Sequence, residues 1–134
     1  MTASEPFSYN DPFAHYLGIE KLEISEGKAR ARLSIQKHHL NSHGTLHGGT
    51  IFALADVVLG AASNSHGQTA VAIHATISYI KAISSGVMIA ETEEISRNAV
   101  LGLYNVRVID DAGDLVAVLQ GTVYLKRSRV DILS

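Results

Sequence analysis

The chain of 134 residues contains no cysteine, only two prolines, and no apolar run long enough to cross a bilayer. Without cysteine there is no disulfide, no thiolate metal site and no cysteine nucleophile. The longest apolar stretch, residues 51–62, contains Asp56 and falls short of the roughly 20 residues that a membrane span needs. The N-terminus has neither the basic region nor the apolar region of a secretory signal. We therefore expect a soluble, cytoplasmic protein.

An excess of one charge is also missing, since 11 basic and 13 acidic residues give a formal net charge of -2. No basic stripe of the kind that binds nucleic acid is present. The local basic run of Lys126, Arg127 and Arg129 is typical of a solvated strand end. With 46% hydrophobic residues, the composition predicts a single globular domain over 1–134, in which 1–10 and 127–134 are flexible tails.

The hydrophobic pattern predicts an α+β fold. A start signal at 10–12 and a stop at Gly18 frame a short N-terminal helix. The other predicted elements are two strands within 19–36, a polar loop at 37–47, a helix from Gly49 to about Ser65 that is buried nearly all round, and strands at 69–82, 87–95, 99–110 and 115–126. A sheet of about six antiparallel strands is too large for one long helix to cover. We therefore expect a partner subunit to cover the remainder.

Alternation in the strand at 69–82 predicts which side chains share a face. One face is expected to carry Val71, Ile73, Ala75, Ile77 and Tyr79, and the other His74, Thr76 and Ser78.

Asp56 is the residue that the helical pattern does not explain. Its neighbours three and four positions away, Phe52, Ala53, Leu59 and Gly60, include no cation. A buried, unpaired carboxylate is costly, and desolvation raises its pKa toward the range that suits a general base. A wet subunit interface, or a cation from elsewhere in the chain, is the alternative explanation.

Gly48 and Gly49 stand at the start of the same helix, where backbone N–H groups have no partner within the helix. Donors at the positive end of a helix dipole suit an oxyanion, and glycine allows a substrate to approach the backbone closely. Asp56 follows His47 by nine residues. The segment therefore has the minimum equipment for hydrolysing an activated acyl group.

Histidines offer a competing interpretation, because His39, His43 and His47 recur every four residues. On a helix that spacing would suit zinc, but glycines interrupt the segment and no carboxylate or cysteine completes a ligand set. We therefore expect no metal. Serine-nucleophile, phosphate-loop and dinucleotide motifs are absent from the sequence. Four histidines are interpreted as ordinary residues: His15, His38, His39 and His66.

The segment N-S-H-G-T-L-H-G-G-T-I-F-A-L-A-D, residues 41–56, resembles the signature of the phenylacetate-degradation (PaaI-type) thioesterases of the hotdog-fold superfamily. The likeness runs from about Asp11 to Lys126 and includes TISYIKA, LGLYNVRV and the last hairpin. It implies one long helix wrapped by a curved antiparallel sheet. It also implies homodimers with a continuous sheet, commonly paired into homotetramers, with active sites between subunits.

The resemblance implies roles for four residues of the signature. Asp56 of one chain would face Asn41, His47 and Gly48 of a second copy, and would act as general base on water or as nucleophile. The Gly48 N–H would polarise the thioester carbonyl. Asn41 and His47 would orient substrate or water and help the thiolate leave. Coenzyme A would be the leaving group, and no cofactor is implied.

The resemblance also implies where acyl-CoA binds. The matching positions are Gly49, His74, Tyr79, Ser96, Arg97, Asn98 and Lys126. Arg97 and Lys126 would meet phosphates, although each also fits an ordinary surface role. Ala72 occupies the position where some relatives have a helper hydroxyl, so Asp56 would work without it or with His74 in its place. The implied acyl groups are aromatic, such as phenylacetyl or hydroxybenzoyl, or short to medium aliphatic chains. A non-catalytic acyl-CoA binder and a hydratase or dehydratase remain the alternatives.

Overall fold

The computed structural model describes residues 11–129, apart from the side chains at positions 21 and 22. Its elements are α1 (Pro12–Leu17), β1 (Ile19–Ser25), β2 (Lys28–Ser34), α2 (Gly48–Asn64), β3 (Gln68–Tyr79), β4 (Val87–Arg97), β5 (Leu101–Asp110) and β6 (Leu115–Arg129). A single 3-10 turn, Lys37–His39, lies between β2 and α2. This order confirms the predicted succession of a short helix, two strands, one long helix and four strands.

The six strands form one antiparallel sheet in the order β1-β2-β4-β5-β6-β3. Helix α2 contacts every strand of this sheet, so the sheet curves around the helix as predicted. Leu54, Val58 and Leu59 of α2 are fully buried in the core between helix and sheet. Burial of each such side chain stabilises the fold by about 1.5–3 kcal/mol.

Gly121 lets β6 approach the helix closely. A Cβ atom added at this position would lie 2.6 Å from Cδ2 of Leu59, which is closer than side chains tolerate. The middle of α2 therefore rests directly on the backbone of β6, and this contact fixes the height of the helix above the sheet.

Strand β3 contains a β-bulge that the alternation pattern did not predict. Its pairing with β6 shifts register between Ala72 and His74, which leaves Ile73 as the extra residue. Because of this shift, Ala72 lies on the same face as Ala75, opposite the buried Val123. The prediction that Val71 and Ala75 share a face is wrong, since a bulge exchanges the two faces.

One predicted boundary also differs from the structure. The predicted tail at 127–134 overlaps β6, which continues through Arg129, and its flexibility stays a prediction. The predicted tail at 1–10 lies outside the described residues. Within 11–129, neither helix has the length and apolar character of a membrane span.

Candidate functional site

Asn41 organises the loop that precedes α2. Its carboxamide oxygen accepts hydrogen bonds from the N–H groups of His43 (2.9 Å) and Thr45 (3.2 Å), and its Nδ2 donates to Oγ1 of Thr45 at 2.8 Å. The second Nδ2 hydrogen has no acceptor among the described residues. Asn41 therefore stabilises the turn, and one of its side-chain N–H groups stays available to a ligand.

His47 caps the N-terminus of α2. Its Nδ1 accepts a hydrogen bond from the Gly49 N–H at 2.9 Å, while its carbonyl accepts from the N–H groups of Thr50 and Ile51. A neutral imidazole that accepts at Nδ1 carries its proton on Nε2. The side chain is exposed, so this Nε2–H is a donor that faces solvent.

The expected pair of backbone donors is reduced to one. The Gly49 N–H is already bonded to His47, whereas the Gly48 N–H has no acceptor among residues 11–129. As the first residue of a helix of 17 residues, Gly48 places this N–H at the positive end of the helix dipole. One unoccupied donor at that position suits an oxyanion or a polarised carbonyl.

Tyr79 packs directly against Gly48. A Cβ atom on Gly48 would lie 3.2–3.3 Å from the Tyr79 ring, and the Tyr79 hydroxyl donates a hydrogen bond to the Gly48 carbonyl at 3.2 Å. The peptide between Gly48 and Gly49 is therefore held at both ends, by Tyr79 at its carbonyl and by His47 at its N–H. This clamp fixes the direction in which the neighbouring Gly48 N–H points.

A groove of about 400 Å³ opens beside this donor. Most of its lining is apolar or backbone: Leu46, Gly48, Ile51, Tyr79, Ile80, Lys81 and Ala82. Lys81 does not present a free charge there, because its ammonium binds Asp110 (2.7 Å) and Asp114 (2.8 Å). These hydrogen bonds raise the pKa of Lys81 and lower the pKa of Asp110. The groove is thus suited to a carbon chain next to a carbonyl.

Asp56 lies on the one exposed position in the middle of α2. The residues on both sides of it, Ala55 and Val57, are buried, but the Asp56 carboxylate is exposed in the single chain. The expectation of a helix buried nearly all round is therefore wrong at this position. Partial desolvation by the surrounding chain, followed by the nearby Asp11 carboxylate, nevertheless raises the pKa of Asp56.

Asp56 opens into a depression of about 200 Å³. The other lining residues are Asp11, Val57, Leu59, Gly60, Ser63, Ala70, Val71, Ala72 and Val123. Ala72 thus lies beside Asp56, where the resemblance places a helper hydroxyl in some relatives. His74 lies beyond the β-bulge on the opposite face of β3, so this histidine is not on the Asp56 side of its own chain.

The two halves of the predicted site are separated within one chain. Gly48 and Asp56 are eight residues apart on a continuous α-helix, which corresponds to about 12 Å along its axis. A water or thioester in contact with Asp56 therefore does not reach the Gly48 N–H of the same chain.

The side chains expected to hold CoA differ in their exposure and in the hydrogen bonds that they already make within the chain. Ser96 and Lys126 are exposed, whereas Arg97 turns inward toward the carbonyl of Ser63 (3.4 Å) at the end of α2. The Asn98 side-chain oxygen accepts hydrogen bonds from the N–H groups of Val100 and Leu101, at 2.8 Å each. Arg97 and Asn98 therefore have structural contacts, and Lys126 offers the freest positive charge of this set.

Comparison with known proteins places this geometry in a family. The family model described as "Thioesterase superfamily" matches residues 43–117, which is more than half of the chain. The chain belongs to the thioesterase superfamily. The match includes Gly48, Asp56, all of α2 and the strands β3, β4 and β5.

Individual relatives of this thioesterase agree with the match. A provisionally named esterase of Archaeoglobus fulgidus is 40% identical over 116 residues, which cover 86% of this chain and 75% of that protein. The acyl-coenzyme A thioesterase PaaI of Escherichia coli K12 is 31% identical over 113 residues, covering 84% and 81%.

A solved structure of the PaaI protein from the E. coli phenylacetic acid degradation operon superposes with a TM-score of 0.88. It is 27% identical to this chain and covers 92% of this chain and 90% of its own. The fold is therefore a hotdog fold, and the predicted PaaI-type resemblance is confirmed. The chain is a thioester hydrolase.

Sequence reasoning missed two histidines of this thioesterase. His39 was interpreted as an ordinary loop residue, but it is buried, accepts from the Gln36 N–H at 2.9 Å and contacts the Leu17 carbonyl at 2.7 Å. His66 contacts Glu94 at 2.7 Å, and the Tyr104 hydroxyl donates to the same carboxylate oxygen at 2.6 Å. The contacts of His39 with Leu17 and of His66 with Glu94 have no local sequence signal, because these partners are distant in the chain.

The three histidines considered for zinc have separate positions. His39 is buried beneath the loop, whereas His43 and His47 are exposed, and His47 caps α2. No cluster of three or more metal-type ligands occurs within residues 11–129.

Proposed function

We propose that this thioesterase hydrolyses acyl-CoA at a site built by two copies of the chain. The observation that carries the proposal is the separation of two complementary halves on α2, a free backbone donor at Gly48 and a carboxylate at Asp56. Because these halves lie about 12 Å apart within one chain, a second copy has to bring Asp56 to Gly48.

The edge of the sheet supports a homodimer. Strand β3 pairs only with β6 among the described strands, so its other edge is open over 12 residues. Val71 and Ile73 on this strand, and Ile80 just after it, are exposed apolar side chains. An open, apolar edge strand is a template for pairing with a second chain. We propose that β3 pairs with its copy to form a continuous sheet, and that two such dimers form a homotetramer.

The proposed reaction breaks the bond between the acyl carbon and sulfur. Asp56 takes a proton from water while the water oxygen attacks the acyl carbon, and the Gly48 N–H stabilises the oxyanion. As the intermediate collapses, the bond between the acyl carbon and sulfur breaks, and the proton held by Asp56 passes to the departing CoA sulfur, which restores the Asp56 carboxylate. The His47 Nε2–H and the Asn41 Nδ2–H would donate hydrogen bonds to the thiolate as it leaves. In the alternative course, Asp56 itself attacks and water then hydrolyses the resulting anhydride. Both courses give a free acid and CoA.

The substrate assignment follows from the groove and the relatives. The groove beside Gly48 is of the size that small-molecule sites have, and its apolar walls suit an acyl group or the adjoining carrier arm. We propose an aromatic acyl group, such as phenylacetyl or hydroxybenzoyl, with short to medium aliphatic chains next. The CoA tail would follow Gly49, His74, Tyr79 and Ser96 to Asn98, with Arg97 and Lys126 near its phosphates.

The test is free-thiol release from a panel of acyl-CoA thioesters by the wild type and Asp56→Asn. Loss of the base is expected to lower turnover by about a hundredfold or more. Asn has the shape of Asp, and the position is exposed, so folding and acyl-CoA binding should persist. Glu93→Gln, which removes an exposed carboxylate on β4, is the matched control and should retain full turnover.

Each outcome of this panel has a defined meaning. Turnover by the wild type identifies the acyl class, and its loss in Asp56→Asn with binding intact supports the assigned base. Equal turnover by both proteins would remove Asp56 from the mechanism. Binding by both proteins without any turnover would overturn the proposal in favour of an acyl-CoA binding module.

A further inference from the structure

Two carboxylates, Asp56 and Asp11, line the depression into which Asp56 opens. The remaining lining consists of apolar side chains, glycine and Ser63, whose hydroxyl donates to the Gly60 carbonyl at 3.3 Å. Asp11 was singled out in the sequence only as the start of a helix. The mechanism above gives it no role.

The Asp11 carboxylate is fixed in place. Its Oδ1 accepts a hydrogen bond from the Ala14 N–H at 3.0 Å, and its carbonyl accepts from the His15 N–H at 3.1 Å. Helix α1 contacts both α2 and β1, and its residues Ala14 and Leu17 are buried. The cap thus holds one carboxylate beside Asp56 without freedom to turn away.

Within one chain, no cation among the described residues compensates the two charges. In the proposed dimer, the His47 side chain of a second copy would also face Asp56. Helix α2 contributes Asp56 itself, β3 contributes residues 70–72 and β6 contributes Val123, so neither strand adds a titratable side chain to the depression. His15, one turn after Asp11 on α1, is exposed and does not line it. Desolvation first, and then the charge of Asp11, raise the pKa of Asp56. A like charge across an apolar surface favours the protonated form.

We propose that Asp11 is a second carboxylate of the Asp56 site, a positioning residue that sets the pH range in which Asp56 is ionised. The inference rests on the proposed role of Asp56 as the base. A base that holds its proton more tightly is a stronger base once it is ionised, so Asp11 increases the ability of Asp56 to remove a proton from water. Asp11 itself need not touch the substrate.

Substitution of Asp11 by Asn separates the charge from the helix cap, because Asn caps helices as well as Asp does. The Asp56 carboxyl carbon is titrated by NMR in the whole protein, without substrate, in the wild type and in Asp11→Asn. The titration midpoint of Asp56 is expected to move to lower pH in Asp11→Asn. The acidic limb of the kcat/KM profile is expected to move in the same direction by the same amount.

Three further variants complete the test. Asp11→Ser removes the charge with a different capping side chain, and is expected to reproduce the shift of Asp11→Asn. Asp11→Glu keeps a negative charge and is expected to keep most of the wild-type midpoint. Glu93→Gln removes a distant exposed carboxylate and is expected to leave the midpoint unchanged.

An unchanged Asp56 midpoint in Asp11→Asn and Asp11→Ser would overturn this inference. That result is independent of the proposed function, since the titration needs no turnover. Conversely, if Asp56→Asn retained full turnover while the midpoint still shifted in Asp11→Asn, the coupling of the two carboxylates would stand but the assignment of the base would fall.

Discussion

His47 and Gly49 are joined by a hydrogen bond of 2.9 Å in which the backbone N–H of Gly49 donates to Nδ1 of His47. This bond removes Gly49 from the set of free donors and fixes the neutral tautomer of His47, with its proton on Nε2. His47, the first residue of the H-G-G motif, thus has two functions. It begins the helix, and it presents one directed donor next to Gly48.

His47→Asn is expected to separate these two functions. Asn is a favoured helix cap, so the free energy of unfolding should change by no more than about 0.5 kcal/mol. The Nε2–H donor is lost, and kcat should fall by about a hundredfold if this hydrogen bond stabilises the departing thiolate. Urea unfolding and steady-state thiol release measure the two effects. A full kcat in this variant would assign His47 to capping alone.

Gly48 offers a direct test of the oxyanion donor. Gly48→Ala and Gly48→Pro both add a Cβ atom against the Tyr79 ring, but only proline removes the N–H. Proline is favoured at the first position of a helix, and the extended backbone of His47 is compatible with a following proline. We expect kcat of the proline variant to be about 100-fold below that of the alanine variant. Equal values of kcat would exclude the Gly48 N–H as the donor.

Tyr79→Phe tests the clamp on the same peptide. The ring stays, and the hydrogen bond to the Gly48 carbonyl at 3.2 Å is lost. One such bond is worth about 0.5–1.5 kcal/mol, so we expect kcat to fall by about two- to tenfold while KM changes little. Tyr124→Phe, at an exposed position of β6, is the control and should have wild-type kinetics. A rise in KM at constant kcat would instead indicate that Tyr79 binds CoA.

The element order was readable from the sequence because each element has a clear period. The bulge at Ile73 was not, because the residues around it, VAIHATI, continue an alternating pattern through the extra residue. The open edge of β3 likewise depends on the sheet order, which periodicity does not contain. A register shift of one residue is decided by pairing with β6, and not by the strand itself.

The sequence was most informative about the candidate site where the features are local to one helix, and the roles of these residues stay predictions. Gly48 and Asp56 were identified from helix geometry and from the lack of a partner for Asp56. Asn41, Asn98 and Arg97 were expected to serve the substrate, yet their hydrogen bonds also hold the fold together. The Arg97 contact with Ser63 forms only after folding, so sequence spacing does not reveal it. The contacts of Asn41 and Asn98 are local turn hydrogen bonds, which were set aside in favour of the roles that the resemblance implies.

The lowered pKa of Glu94 predicts that the free energy of unfolding depends on pH. Burial opposes its ionisation, but hydrogen bonds from Tyr104 and His66 outweigh this effect and lower the pKa of Glu94. A carboxylate whose pKa is lowered on folding stabilises the protein above its unfolded value, near 4.5, and loses this contribution as the pH falls through the folded value. Glu94→Gln should therefore cost about 1–2 kcal/mol at neutral pH and less below about pH 4.5. Urea unfolding at fixed protein concentration measures the difference in free energy of unfolding between the wild type and Glu94→Gln, with Glu93→Gln as control. A difference that does not vary with pH would contradict this account.

Mixed dimers test whether the site is shared between chains. Asp56→Asn and Gly48→Pro each lack one half of the site, and a dimer of one of each contains one intact Asp56–Gly48 pair. If subunits exchange at random, half of the dimers are mixed and half of their sites are intact, so the mixture should recover about a quarter of wild-type activity. If each chain holds a complete site, the mixture should have only the summed activity of the two variants.

The control for this mixture places both changes in one chain. Mixed with an equal amount of wild type, the double variant should inactivate every mixed dimer, because each site then lacks either Asp56 or the Gly48 donor. Activity should therefore fall to about a quarter of that of an all-wild-type sample, and not to about a half, as independent sites would give. The two mixtures together distinguish a shared site from simple dilution, because sharing restores activity in the first and removes it in the second.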